Sequence, residues 1–428
     1  MQSGFFERHP SWAVLGYRDF RLLLLGTALV NVVMPFHFLT QVFWVEDHYS
    51  DRTAVLYVSL IAASRGLAGL VFSLIGGAIA DRFERRRVLL ACEALSLAVN
   101  GIVALMMITS PFGDATVFAV IVCTFGAAGI MSIDAPARAA AIPSIVGREN
   151  IASAISINTL AMQMTLPLSL PLIGVLNGIF APGPLYAWSL IAWAGILPAI
   201  ALLRFRSYGG ADHGVGMLTN VGRGLRYASS NATILSIVAM VAIIQIVGMP
   251  GVANPLGPVW MTQVLGLSKA QFGFMAMTWG IGAMGASLAM ARNRRIGQRG
   301  STIWFAGLVF SVSILVFGYS RNVPLTAFAN FTLGASFSLL LVSSTTIIQG
   351  VVADEMRGRV MALFPLVMGV AQLATAPIGA IGQQIGLPAL VPALGYLTLA
   401  LCIGLILQRP GLRHVRPVVA APVAVMPE

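Results

Sequence analysis

Residues 54–109 read AVLYVSLIAASRGLAGLVFSLIGGAIADRFERRRVLLACEALSLAVNGIVALMMIT. Two apolar runs, 54–79 and 88–109, flank the charged stretch Asp81-Arg82-Phe83-Glu84-Arg85-Arg86-Arg87. Each run exceeds the roughly 20 residues that a membrane-spanning helix needs. The stretch reads as two spans joined by a short basic turn.

The rest of the chain repeats that pattern. Of 428 residues, 57% are hydrophobic and 10% charged, and the mean hydropathy is +0.86. Ordinary soluble domains carry about 25% charged residues, so a soluble enzyme, a disordered regulator and a secreted disulfide scaffold are excluded. The net charge of +11 suggests nucleic acid by itself. The basic residues, however, form short clusters between apolar runs, as orientation signals do. No nucleic-acid partner is expected. Cys92, Cys123 and Cys402 lie in or beside apolar runs with no metal-ligand spacing, and they read as packing residues. No metal and no cofactor are expected. The first apolar run, from Phe20 past Phe43, is too long for a cleaved signal segment.

Twelve helices are expected, over 20–45, 54–79, 88–109, 115–136, 151–179, 184–204, 232–252, 270–291, 301–319, 323–347, 356–383 and 388–408. The fold class is therefore an all-α membrane protein in two six-helix bundles. The expected domains are 1–204, a linker at 205–231, 232–408, and a tail at 409–428. With the N-terminus inside, 22 basic residues fall on the cytoplasmic side and 3 on the outer side. That asymmetry obeys the positive-inside rule and places both termini in the cytoplasm. The halves also repeat: Pro171-Leu172-Ile173-Gly174 corresponds to Pro377-Ile378-Gly379-Ala380 at an offset of 206. Parallel six-helix repeats mark a two-bundle secondary transporter.

The charged turn carries the mechanism. Gly77-Ala78-Ile79-Ala80-Asp81 followed by Arg85-Arg86-Arg87 resembles the loop signature of the major facilitator superfamily, with Glu84 where the general pattern has glycine. Gly77 would let helices approach closely. Asp81 is an anion at a helix end, and Arg85 can fork onto a carboxylate. The resemblance implies a gate whose partners are Asp134 and the helix start after Glu355. Asp134-Ala135-Pro136-Ala137-Arg138 and Asp354-Glu355-Met356-Arg357-Gly358-Arg359 complete a pattern similar to one branch, which includes the enterobactin (siderophore) exporter and drug efflux proteins. The gating set is thus Gly77, Asp81, Arg85, Asp134, Arg138, Glu355, Arg357 and Arg359. Leu170-Pro171-Leu172-Ile173-Gly174 is a degenerate form of the antiporter motif, lacking its first glycine. An ordinary proline-kinked span fits it equally well.

Arg65 lies within the second run, 16 residues from Asp81, and His37 lies 16 residues from Arg21. At 1.5 Å per residue both reach about 24 Å from the inner face. A cation at that depth costs roughly 2.5–3.5 kcal/mol on insertion scales and should face a cavity or a partner. His37, Gln41 and Arg65 are expected to line a central cavity, with Arg65 drawing an anionic cargo group. The alternative is an ion pair of Arg65 with Glu46 or Asp47. Gln245 and Asn330 are the second-half candidates, because helices 1, 4, 7 and 10 line the cavity in the resembled family. Proton coupling needs a titratable group with two environments. The candidates are His37, Glu46, Asp47 and Glu93.

The sequence points to an inner-membrane, monomeric transporter working by alternating access. It would export siderophore-like or drug-like small molecules, by proton-coupled antiport. Rival readings are a lipid flippase on the same fold, an importer, and a non-transporting receptor. No enzymatic constellation and no P-loop are present.

Overall fold

The computed structural model describes residues 14–205, 217–253 and 255–409. The described residues form helices with short connections, and no strand occurs among them. In lipid every backbone polar group must be satisfied within its own segment, which leaves the helix as the default spanning element. Eleven helices among the described residues are long and apolar enough to cross a membrane. Ile151–Ile179 is helical throughout and adds two shorter apolar stretches, Ser153–Met162 and Ser169–Ile179. Taken in chain order, these are the twelve expected spans.

Four spans run differently from the expectation, and of these the sixth is interrupted at Gly195, between Pro182–Ala194 and Ile196–Ala201. The fourth continues through Pro136 and Pro143 to Val146. Proline removes one backbone donor, and the carbonyl freed by Pro136 is that of Ser132. Gly76 of the second span approaches this carbonyl so closely that a Cβ there would lie 2.9 Å from the oxygen. The seventh span does not stop at 252 but passes a break and ends at Val264. It has two wider π turns, Ile244–Gly248 just before Pro250 and Trp260–Val264 just after Pro258. Such turns absorb a missing donor by widening the helix. The eleventh span is split at Ala362, into Asp354–Met361 and Leu363–Ile385. The linker contributes a helix, Met217–Ser230.

The chain forms two compact units. One is drawn from Met1–Gly214, Asn254–Met277 and Gln372–Leu387. It holds the first six spans together with the end of the seventh, the start of the eighth and the end of the eleventh. Its core at one end is Phe20, Leu89, Ala137, Val146, Trp193 and Ile200, all nearly inaccessible. At the other end Lys269 and Gly273 of the eighth span meet Gly174 of the fifth, and Gly379 of the eleventh meets Ser59 of the second. The second unit is drawn from Val215–Ala253, Thr278–Ala371 and Pro388–Glu428. Within it Gly282 and Gly334 bring the eighth and tenth spans together: a Cβ at either would fall on a backbone carbonyl, of Phe331 or Trp279. Small residues let backbones approach closely where lipid supplies no hydrophobic drive.

Candidate functional site

Five of the first six spans place polar side chains around one cavity in the first unit. Its lining includes Met34, His37 and Gln41 from the first span, Arg65 from the second, Asn100 from the third, Thr124 and Met131 from the fourth, and Tyr186 and Trp193 from the sixth. The cavity volume is about 20 Å³, room for a single water molecule. His37, Gln41 and Arg65 come together here.

The side chains bond one another. Gln41 Nε2 donates to Thr124 Oγ1 at 3.1 Å and to the Tyr186 hydroxyl at 3.4 Å. Tyr186 in turn donates to Asn100 Oδ1 at 2.6 Å. Ser189 Oγ gives its proton to the Tyr186 carbonyl at 2.6 Å and sits 2.7 Å from His37 Nε2. A hydroxyl has one proton to give, so His37 Nε2 is the donor in that pair. The imidazole stacks on Tyr186 at 4.2 Å and on Trp193 at 5.3 Å between ring centroids. Arg65 holds its guanidinium 5.0 Å from the centre of the Phe38 ring, a cation–π contact. Sequence reasoning missed Asn100, Thr124, Tyr186, Ser189 and Trp193. The available signal was spacing: Tyr186, Ser189 and Trp193 fall at i, i+3 and i+7, one helical face.

A second polar group lies on the third and fourth spans. Arg138 places Nη2 2.5 Å from Glu93 Oε1 and Nε 2.9 Å from Asp134 Oδ2. All three are buried, with exposures of 0% for Glu93, 1% for Asp134 and 7% for Arg138. Two carboxylates thus share one guanidinium, leaving one negative charge in excess when all are ionised. Glu93, Ser96 and Asn100 share one face of the third span at i, i+3 and i+7. That face runs from this cluster to the cavity, and Ser96, like Glu93, is fully buried.

At the end expected to face outward, Asp47 pairs with Lys269 Nζ at 2.7 Å. Thr262 donates to Glu46 Oε1, and the Lys269 ammonium also lies 5.4 Å from the Phe43 ring. Asp47 and Glu46 are therefore engaged with the seventh and eighth spans rather than with Arg65. A half-exposed pair of this kind contributes up to about 1 kcal/mol. Asp47→Lys should lower the melting temperature by a degree or two. The reversed pair, Asp47→Lys with Lys269→Asp, should recover it in a thermal melt of purified protein.

At the basic turn, Arg85 donates to the Ala140 carbonyl at 2.9 Å. Arg86 donates to the Ala201 carbonyl at 2.6 Å, at the end of the sixth span, where a cation suits the helix dipole. Arg87 pairs with Glu84 at 2.9 Å. The Asp134 carboxylate is held by Arg138. The second helix runs through Gly77 and Asp81 to Arg82. The side-chain placement of Gly77 and Asp81 lies outside the described residues, so the Asp81 latch does too. In the second unit, Glu355 is exposed. Arg359 lies 3.2 Å from Met356 Sδ through Nη1, and its carbonyl is packed against Gly224 of the linker helix. Arg357 is half-buried on the same short helix. Gln245 lies buried in the first π turn of the seventh span. Asn330 is buried on the tenth and donates to Thr278 Oγ1 at 2.9 Å.

No group of His, Cys, Asp and Glu among the described residues could hold a metal ion.

The comparisons agree with this architecture. The family model described as "Transmembrane secretion effector" matches residues 9–425. The enterobactin exporter EntS of Escherichia coli (strain K12) is 26% identical over 424 residues, covering 96% of this chain and 94% of that protein. The multidrug efflux pump Tap of Mycolicibacterium fortuitum is 25% identical over 345 residues, covering 77% and 80%. Among solved structures, the nucleoside transporter NupG matches with a TM-score of 0.72 at 11% identity, covering 91% of this chain and 98% of that one. A D-xylose–proton symporter matches at 0.65 and 12% identity, covering 91% and 95%. These last two carry the fold alone. The chain belongs to the transmembrane secretion effector family, and is a multi-span membrane transporter of the major facilitator fold for small molecules.

Proposed function

We propose that this protein exports small organic molecules, siderophore-like or drug-like, across the inner membrane by alternating access. Both termini would lie in the cytoplasm, and efflux would be driven by proton antiport. One observation carries the reading: a polar cavity with an arginine is built into five otherwise apolar spans. Polar groups at membrane depth are costly, and they mark substrate and ion pathways. The direction of transport rests on the likeness to EntS and Tap. On this reading His37, Gln41 and Arg65 touch cargo from the first unit, and Gln245 and Asn330 from the second. Gly77, Asp81, Arg85, Glu355, Arg357 and Arg359 serve the inner gate.

For the driving proton, the excess carboxylate of the Glu93–Arg138–Asp134 cluster is the favoured carrier. It is buried, it is short of cations, and it is joined to the cavity by one helical face. His37, Glu46 and Asp47 are the other carriers on offer. The test is efflux from preloaded cells of a strain lacking its own pumps, with and without an imposed pH gradient. Expression should speed cargo loss severalfold, and collapsing the gradient should abolish that gain. Glu93→Gln should export at a rate indifferent to the gradient. Faster uptake instead of faster loss would overturn the export reading, and full gradient dependence in Glu93→Gln would overturn the role of Glu93.

A further inference from the structure

We infer that Arg65 forms an anion-binding subsite, and that the cargo presents to it an organic anion on or beside an aromatic ring. This deepens the transport reading and rests on it only for the word cargo. Glu46, Asp47, Glu93 and Asp134 of the first unit's described spans all bond groups other than Arg65: Glu46 accepts from Thr262, Asp47 holds Lys269, and Glu93 and Asp134 hold Arg138. Among the described residues no carboxylate lies within ion-pair distance of Arg65. What the guanidinium has is the face of Phe38 at 5.0 Å. That contact is weaker than an ion pair and leaves its N–H donors for something else.

A cation held at membrane depth without a carboxylate is expensive, and such a site is kept where a ligand supplies the negative charge. The surroundings select the rest of the ligand. Gln41 is only 2% exposed, and its Oε1 has no hydrogen-bond partner. Facing the same cavity, it offers a buried acceptor for a ligand hydroxyl or N–H. Tyr186 and Trp193, both stacked on His37, line the cavity with aromatic side chains. A charge-assisted bond to the guanidinium, a polar contact to Gln41 and a ring against those side chains describe a small aromatic anion. The cavity of about 20 Å³ admits only water in this state. Admission of a ring therefore requires the spans that contribute the walls to part, as an alternating-access cycle provides.

The experiment is titration calorimetry on the purified full chain in a neutral detergent. Sodium benzoate, benzamide, sodium acetate and sodium chloride are compared at matched ionic strength. Benzoate should bind, with benzamide and acetate each at least about tenfold weaker and chloride without effect on the benzoate isotherm. Arg65→Gln should lose at least about tenfold in benzoate affinity, roughly one charge-assisted hydrogen bond, while Arg65→Lys keeps part of it. Equal binding of benzamide would show an aromatic slot with no anion requirement. Displacement by chloride would show an inorganic-anion site. Unchanged benzoate binding in Arg65→Gln would show the anion site to lie elsewhere. Each of these overturns the proposal. Should Arg65→Gln not yield folded protein, the four-ligand comparison on the unaltered chain still decides. Efflux that persists without benzoate binding would sink the anion class and leave the transport reading standing.

Discussion

Replacing Arg138 with methionine should nearly abolish folded protein, whereas replacing Glu93 with glutamine should not. The asymmetry follows from charge. Arg138 is the only cation among the described residues within ion-pair distance of two carboxylates exposed by 0% and 1%. Its removal leaves both anions in the membrane interior with nothing to hold them. Breaking a buried ion pair by deleting one partner costs about 3–5 kcal/mol, and here two carboxylates lose the same partner. Glu93→Gln works in the opposite direction. It leaves Arg138 and Asp134 as a matched pair, 2.9 Å apart on adjacent turns of the fourth span, and it keeps a polar group facing Nη2. The triple change Glu93→Gln, Asp134→Asn and Arg138→Met removes all the charge and should recover folded protein that Arg138→Met alone lacks. The measurements are the yield of monodisperse protein and its melting temperature. If Arg138→Met matched the unaltered chain in both, the cluster would not be what ties the third and fourth spans together there.

That cluster also marks how far the sequence could be read. Glu93 and Arg138 stand 45 positions apart, and nothing in either run announces the other. Glu93 therefore reads alone as a titratable group, and Arg138 reads as part of a loop motif. Only the packing of the third span on the fourth joins them. Arg65, His37 and Gln41 were legible because polar side chains in apolar runs stand out, and helical rise places two of them at equal depth. Asn100 and Thr124 were not, since a neutral hydrogen-bonding group in a helix looks the same whether it serves a site or bonds its own backbone. The spans were legible because lipid allows so few solutions. Their ends were not. Pro136 reads as a stop, yet Gly76 packs against the carbonyl it frees, and the helix runs on to Val146. The π turns beside Pro250 and Pro258 were not legible either, because widening a turn leaves no mark on residue spacing.

The glycines of the eighth span give the second large effect, and they divide sharply. At Gly282 a Cβ would fall on the Phe331 carbonyl, and at Gly334 on that of Trp279, so the eighth and tenth spans touch backbone to backbone at both places. Gly285, one turn from Gly282, has nothing within 4 Å of its Cβ position. Gly282→Ala or Gly334→Ala must push two helices apart, since a backbone carbonyl cannot rotate away as a side chain can. Overpacking costs typically 1–3 kcal/mol where side chains can adjust, and the cost here should reach or exceed the top of that range. Gly285→Ala should be neutral or slightly stabilising, because alanine is favoured over glycine in a helix by about 1 kcal/mol. Gly379 offers an intermediate case: its Cβ would fall on the side chain of Ser59. Gly379→Ala should destabilise, and adding Ser59→Gly should restore stability, because the obstacle is a side chain that can be removed. No second-site change of that kind is available for Gly282. Melting temperatures of the four single variants and the Ser59→Gly double variant test the whole set. Equal melting of Gly282→Ala and Gly285→Ala would mean that the eighth and tenth spans do not make this backbone contact, and the close packing of the second unit would have to be redrawn.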